Sequence, residues 1–113
     1  PLLLTQVNKG HLTIQQLVQL TCETPARIYR LNNSGSLKEG ATADITVVDL
    51  KKEHRIDASG FISKAKYSPF DGWETKGVPV KTFVNGQLVM DRGEIIAKSG
   101  CGRVISRRVG RNG

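Results

Sequence analysis

Hydrophobic periodicity changes once along this 113-residue chain, at Asn32-Asn33-Ser34-Gly35, and the change limits the possible folds. Before the break, apolar residues recur at helical spacing. After it, β-branched and alternating runs take over. Helices followed by strands, without βαβ alternation, predict an α+β arrangement or pieces of two structural units.

The helical half divides into three segments. Leu2, Leu3, Leu4 and Val7 share one face over residues 2–8, and Gly10 is a natural stop. Thr13 and Gln16 have the spacing of a capping box, with Ile14, Leu17, Val18 and Cys22 following on one face. Cys22 is expected to be a small buried hydrophobe. Thr24-Pro25 predicts a fresh start, because proline is favoured at the first helical position. The helix from Pro25 to Leu31 is expected to bury Ala26, Ile28 and Leu31.

In the second half, residues 45–50 (Ile45-Thr46-Val47-Val48-Asp49-Leu50) predict a strand, and His54-Arg55-Ile56 a second, shorter one. Gly60, Pro69, Gly72, Gly77 and Pro79 make residues 57–79 mostly loop. Residues 80–84 and 87–90 alternate on either side of Asn85-Gly86. That pair predicts a type I′ hairpin, which needs positive φ at both central positions. Asp91-Arg92-Gly93 predicts another turn, before a last short strand at Glu94-Ile95-Ile96.

The net charge of +7 is concentrated at one end. Lys98, Arg103, Arg107, Arg108 and Arg111 face no acid beyond residue 97, and without them the chain carries +2. No aromatic residues are interleaved with these cations, so a solvated tail is expected, with no nucleic-acid partner. No apolar run approaches the ~20 residues that span a bilayer, and no membrane partner is expected. Pro1-Leu2-Leu3-Leu4 is too short for a signal peptide, and a chain opening on proline is expected to be a piece of a longer one. Cys22 and Cys101 form no CxxC pattern and read as free thiols of a cytoplasmic protein.

Little in the chain looks chemically equipped. His11 and His54 are the two histidines, neither with a second histidine two or four residues away, as a metal site would favour. Ser59 and Ser68 lie in no nucleophile elbow. Ser99-Gly100-Cys101-Gly102-Arg103 lacks the lysine and following helix of a phosphate loop. No catalytic, cofactor-binding or metal-ligating residue is therefore assigned.

Five segments together bear a resemblance. Thr24-Pro25-Ala26-Arg27-Ile28-Tyr29-Arg30-Leu31, residues 35–49 from Gly35 through Gly40-Ala41-Thr42-Ala43-Asp44 to Asp49, and Val84-Asn85-Gly86-Gln87-Leu88-Val89 resemble ordered motifs of the amidohydrolase superfamily. Pro1-Leu2-Leu3-Leu4-Thr5 with Gly10-His11-Leu12-Thr13, and residues 63–73 ending in Ser68-Pro69-Phe70-Asp71-Gly72-Trp73, resemble dihydroorotases in particular.

The resemblance implies a C-terminal fragment of a dihydroorotase, or of its relatives allantoinase and dihydropyrimidinase (hydantoinase). A non-catalytic, amidohydrolase-derived assembly module is the alternative of another class. On this reading residues 1–34 are the last helices of a (β/α)₈ barrel. Residues 35–97 are the C-terminal part of a composite β-sandwich, and residues 98–113 a flexible basic tail. The parent would use one or two zinc ions to hydrolyse a small cyclic amide. It would work as a homo-oligomer in which the rest of the barrel is this chain's partner. The family's metal ligands and catalytic aspartate have no counterpart in the 113 residues, so the isolated chain is expected to bind no zinc and to be inactive. Phe70 and Trp73 are expected to anchor their loop. In the fragment this gives a mobile loop, rings against the first two helices, or rings in a self-association interface.

Overall fold

The computed structural model describes residues 1–107; Arg108, Arg111 and the rest of the basic tail from residue 108 lie outside the described residues. Three short α-helices precede a four-stranded antiparallel sheet, as the change of periodicity predicts. They are α1 (Leu2–Asn8), α2 (Ile14–Val18) and α3 (Thr24–Ile28); the strands are β1 (Ile45–Arg55), β2 (Glu74–Val84), β3 (Gln87–Asp91) and β4 (Glu94–Ile95). The sheet is a meander in the order β1-β2-β3-β4.

α1 stops at a Schellman motif. Gly10 adopts φ +78°, its N–H donates to Val7 O, and the His11 N–H donates to Gln6 O. α2 opens with the capping box: Gln16 N donates to Thr13 Oγ1, and Thr13 N donates to Gln16 Oε1. The expected fresh start at Thr24-Pro25 does not occur. Glu23 is helical (φ −69°, ψ −52°) and offers no side-chain cap. A π-helical stretch, Gln19–Glu23, joins α2 to α3 without a break. Pro25 lacks an N–H and crowds the carbonyl one turn back, and a widened turn just before it accommodates both defects.

The last helix is shorter than expected. It ends at Ile28 because Arg30 turns left-handed (φ 53°), with Arg30 N donating to Arg27 O and Leu31 N to Ala26 O. Ala26 is buried, but Ile28 is 65% exposed and Cys22 is exposed, against expectation. The π-stretch explains Ile28, since an extra residue in one turn rotates the following side chains out of phase with the apolar stripe; Cys22 stays on that stripe with Ile14, Leu17 and Val18 but faces an open groove.

Two more expectations change in the sheet. β1 is one eleven-residue strand rather than two short ones, with an irregularity between Asp49 and Glu53. There the Asp49 carboxylate accepts from the backbone N–H of Lys51 and of Lys52, at 2.9 and 3.2 Å. β2 starts at Glu74, so residues 74–79 are strand rather than loop. Gly77 and Pro79, which read as breakers, both sit where the pairing with β1 shifts register: Lys76 faces Glu53, Val78 faces Asp49 and Pro79 faces Val48. Such irregularities are where sheets tolerate glycine and proline.

The Asn85-Gly86 hairpin forms as predicted, with φ 50° and 79° and Val84 facing Gln87. A Cβ on Gly86 would come no nearer than 4.0 Å to another atom, so a substitution there is opposed by backbone conformation alone. Replacing Gly86 with valine is expected to lower stability by about 1 kcal/mol or more. A shift of the urea midpoint of the 113-residue chain measures it, and an unchanged midpoint refutes it.

Burial is thin. The buried apolar residues are Leu4, Leu17, Ala26, Ile56 and Ala58, and no described side chain falls below 2% exposure. Residues 101–107 run back beside the end of α3. Asn32 N donates to Ser106 O, Leu31 bridges Arg107, and Arg103 Nη2 donates to Thr42 Oγ1 at 2.9 Å.

Candidate functional site

The two histidines are not brought together into a site. His11 Nδ1 lies 2.6 Å from Gln6 Oε1 on the exposed end of α1, and His54 stands on exposed β1. Among the described residues no three of His, Cys, Asp and Glu are close enough to hold a metal ion. The donor set therefore does not fit the zinc that the resemblance implies for a parent enzyme. Ser59 is taken up locally: its hydroxyl and backbone N–H both donate to Asp57 Oδ1 and hold that exposed carboxyl below its ordinary pKa. Ser68 opens a turn, its Oγ accepting from Phe70 N at 3.1 Å.

An apolar groove of about 950 Å³ opens between the helices and one face of the sheet. Ile14 and Leu17 of α2, Val48 of β1, Ile56 beyond it, and Phe61 and Phe70 of the following loop line it. The walls are mostly aliphatic and aromatic, with Cys22, Asp44 and His54 as the titratable side chains on the lining.

The Ser68–Trp73 loop is firmly tied to the end of β1. Gly72 N donates to Ile56 O at 2.7 Å, Ile56 N donates to Trp73 O, and Arg55 Nε donates to Gly72 O. The Asp71 carboxylate accepts from Ala58 N at 2.8 Å. Phe70 and Trp73 meet edge to face, with centroids 5.1 Å apart and planes at 76°. Phe70 thus shares the groove wall with residues of α2, while Trp73 stays 54% exposed. The loop is neither loose nor closed over both rings.

Sequence reasoning missed the joint between α1 and the sheet. Asn8 Nδ2 donates to Leu50 O and Lys76 O, both at 2.9 Å, and Thr5 Oγ1 accepts from Lys76 N at 3.0 Å. Two polar side chains of one helix thereby satisfy the backbone of Lys76 where β2 departs from regular pairing. Gly77 is what allows the approach: a Cβ there would lie 2.6 Å from Leu4 Cβ. Nothing local to Thr5 or Asn8 signals these partners, which lie as far as 71 residues away along the chain. A second joint links two recognised motifs. Asn85 N donates to Asp44 Oδ1 at 2.8 Å and Gly86 N donates to Ala43 O at 3.0 Å, so the strand entry clasps the hairpin turn.

The fold is thus three short helices clasped to an irregular antiparallel sheet, with an open apolar groove between them. Residues 2–89 match the profile of the amidohydrolase family. The chain belongs to the amidohydrolase family. It is 42% identical over 110 residues to L-hydantoinase of Paenarthrobacter aurescens, covering 96% of this chain and 24% of that protein. It is 44% identical over 99 residues to dihydroorotase of Methanothermobacter thermautotrophicus, covering 88% of this chain and 23% of that protein. Among solved structures, L-hydantoinase (dihydropyrimidinase) from Arthrobacter aurescens superposes with a TM-score of 0.87 at 42% identity, over 95% of this chain and 24% of that one. A D-hydantoinase superposes with a TM-score of 0.84 at 27% identity, over 93% of this chain and 24% of that one. The chain thus spans about a quarter of the length of these relatives.

Proposed function

We propose that this chain is the C-terminal scaffolding portion of a zinc-dependent cyclic amidohydrolase whose whole form reversibly hydrolyses dihydroorotate. The observation that carries the reading is the open apolar groove in a chain that belongs to this family yet spans a quarter of its relatives' length. In this assignment residues 1–34 are the closing helices of a barrel, residues 35–97 a share of the β-sandwich beside it, and residues 98–113 a basic tail. The rest of the barrel covers the groove, supplies the metal ligands and the proton-transferring aspartate, and binds the small cyclic amide. The whole enzyme is a cytoplasmic homo-oligomer. Phe70 and Trp73 act as anchors beneath the barrel rather than as substrate contacts.

A second reading, hydantoinase or dihydropyrimidinase activity, is favoured by the 42% identity to L-hydantoinase, which is close to that of the dihydroorotases. Substrate choice in either case belongs to residues outside this chain.

The test is a paired assay. The purified 113-residue chain is expected to bind no stoichiometric zinc and to turn over neither dihydroorotate nor hydantoin, since no metal-ligating cluster is present among the described residues. The coding sequence extended upstream to a full amidohydrolase length is expected to bind zinc and hydrolyse dihydroorotate. Zinc-dependent turnover by the chain alone would refute the scaffold assignment. Hydrolysis of hydantoin but not dihydroorotate by the extended protein would establish the second reading.

A further inference from the structure

We propose that Asn85-Gly86 is a latent isoaspartate-forming site whose reaction is held back by the Ala43-Asp44 clasp. The reaction needs only water. The Gly86 backbone nitrogen, once its proton is lost to base, attacks Cγ of Asn85. The new N–Cγ bond forms, the Cγ–Nδ2 bond breaks, and the amide leaves as ammonia after taking up a proton. Water then opens the resulting succinimide at either carbonyl, leaving aspartate or an isoaspartate whose main chain runs through Cγ.

Asparagine followed by glycine is the pair best suited to this closure, because glycine puts no side chain in the way of the attacking nitrogen. Both residues are exposed, so water and base reach them. What opposes the reaction is hydrogen bonding. The attacking nitrogen carries a proton donated to Ala43 O at 3.0 Å, and the N–H of Asn85 is donated to Asp44 Oδ1 at 2.8 Å. Ring closure requires the Gly86 N–H to leave its acceptor and lose its proton. A hydrogen-bonded amide is protected from this as it is from hydrogen exchange, through the rarity of local opening.

The clasp also makes the damage lasting. A carboxylate created at position 85 would stand next to the Asp44 carboxylate, whose oxygen accepts from the Asn85 backbone, and like charges repel. An isoaspartate adds a methylene to a turn whose geometry depends on φ 50° and 79° at its two central residues. The longer isoaspartyl main chain no longer matches that geometry, which weakens the connection that sets the register of β2 and β3, whereas the aspartate product keeps an Asp-Gly turn of the same type.

The experiment follows deamidation of the full 113-residue chain in warm, mildly alkaline buffer. Peptide mapping and isoaspartyl methyltransferase labelling report on Asn85, with a free peptide spanning residues 81–89 as the unprotected reference. Asn85 in the chain is expected to react at least roughly tenfold more slowly than in the peptide. Asp44→Ala removes a charge-assisted bond and is expected to raise the rate in the chain by roughly tenfold. Asp44→Asn retains an acceptor oxygen and is expected to stay near the slow rate. Leu4→Ala, which loosens packing far from the turn, controls for general unfolding. Equal rates in chain and peptide, no acceleration in Asp44→Ala, or the same acceleration in Leu4→Ala as in Asp44→Ala would each overturn the proposal.

Discussion

Replacing Gly77 with alanine is expected to detach α1 from the sheet and to lower the stability of the 113-residue chain by about 3 kcal/mol. Two independent costs combine. Gly77 has φ +103°, a conformation that L side chains rarely adopt. The added Cβ would also stand 2.6 Å from Leu4 Cβ, 3.4 Å from Asn8 Nδ2 and 3.5 Å from the carbonyl carbon of Leu4. Leu4 is 6% exposed, so it cannot retreat into solvent without losing one of the few buried apolar contacts. If the helix moves instead, Asn8 Nδ2 leaves the carbonyls of Leu50 and Lys76, and the Lys76 N–H leaves Thr5 Oγ1. Urea denaturation gives the loss, and hydrogen exchange at the Lys76 amide locates it. A midpoint within a few tenths of a kcal/mol of the parent value would show that α1 does not dock as described.

Gly35→Ala is expected to be at least as damaging, again about 3 kcal/mol or more, and by a different route. Gly35 has φ +93°, and its Cβ would lie 2.4 Å from Ala26 Cβ and 2.8 Å from the backbone oxygen of Cys22. Neither atom can swing aside: Ala26 Cβ is fixed by its own backbone, and the Cys22 carbonyl is part of a helical turn. The affected turn is the π-helical stretch that admits Pro25, so the strain falls where the backbone is already irregular. The double variant Ala26→Gly/Gly35→Ala separates the contributions. It removes the closest contact and leaves both the φ penalty and the Cys22 contact, so only partial recovery is expected. Full recovery would mean that neither the positive φ nor the contact with Cys22 carries a cost.

These two glycines mark the boundary of what could be read from the chain. The switch from helical to alternating periodicity, the Thr13–Gln16 capping box, the Gly10 stop and the Asn85-Gly86 hairpin are local features, each specified within a few residues, and each is present. The errors share a cause. Pro25, Gly77 and Pro79 read as interruptions because, taken alone, they oppose regular structure. In the fold a π-turn accommodates Pro25, and register shifts accommodate Gly77 and Pro79. Ile28 read as buried because the expected helical phase ignored the π-turn, and Cys22 because the groove it faces is open. Of the candidate groove, the sequence singled out the loop aromatics Phe70 and Trp73; Phe70 lines it and Trp73 stays largely exposed. The clasps of Asn8 and Asp44 were illegible, since hydrogen bonds between side chains and a distant backbone leave no periodic trace.

The irregularity in the middle of β1 also bears on how this chain behaves in a crowd of its own kind. Among the described residues β1 is an outer strand of the sheet, eleven residues long, with β2 on one side. A straight strand of that length with an uncovered border is a template on which further copies could polymerise into fibres. Between Asp49 and Glu53 the strand departs from regular pairing, and the Asp49 carboxylate engages the N–H groups of Lys51 and Lys52. Both lysines are exposed at that point, and a second copy aligned alongside in parallel register would bring like charges together. The irregularity therefore interrupts the border and leaves two shorter stretches on which a second strand could pair.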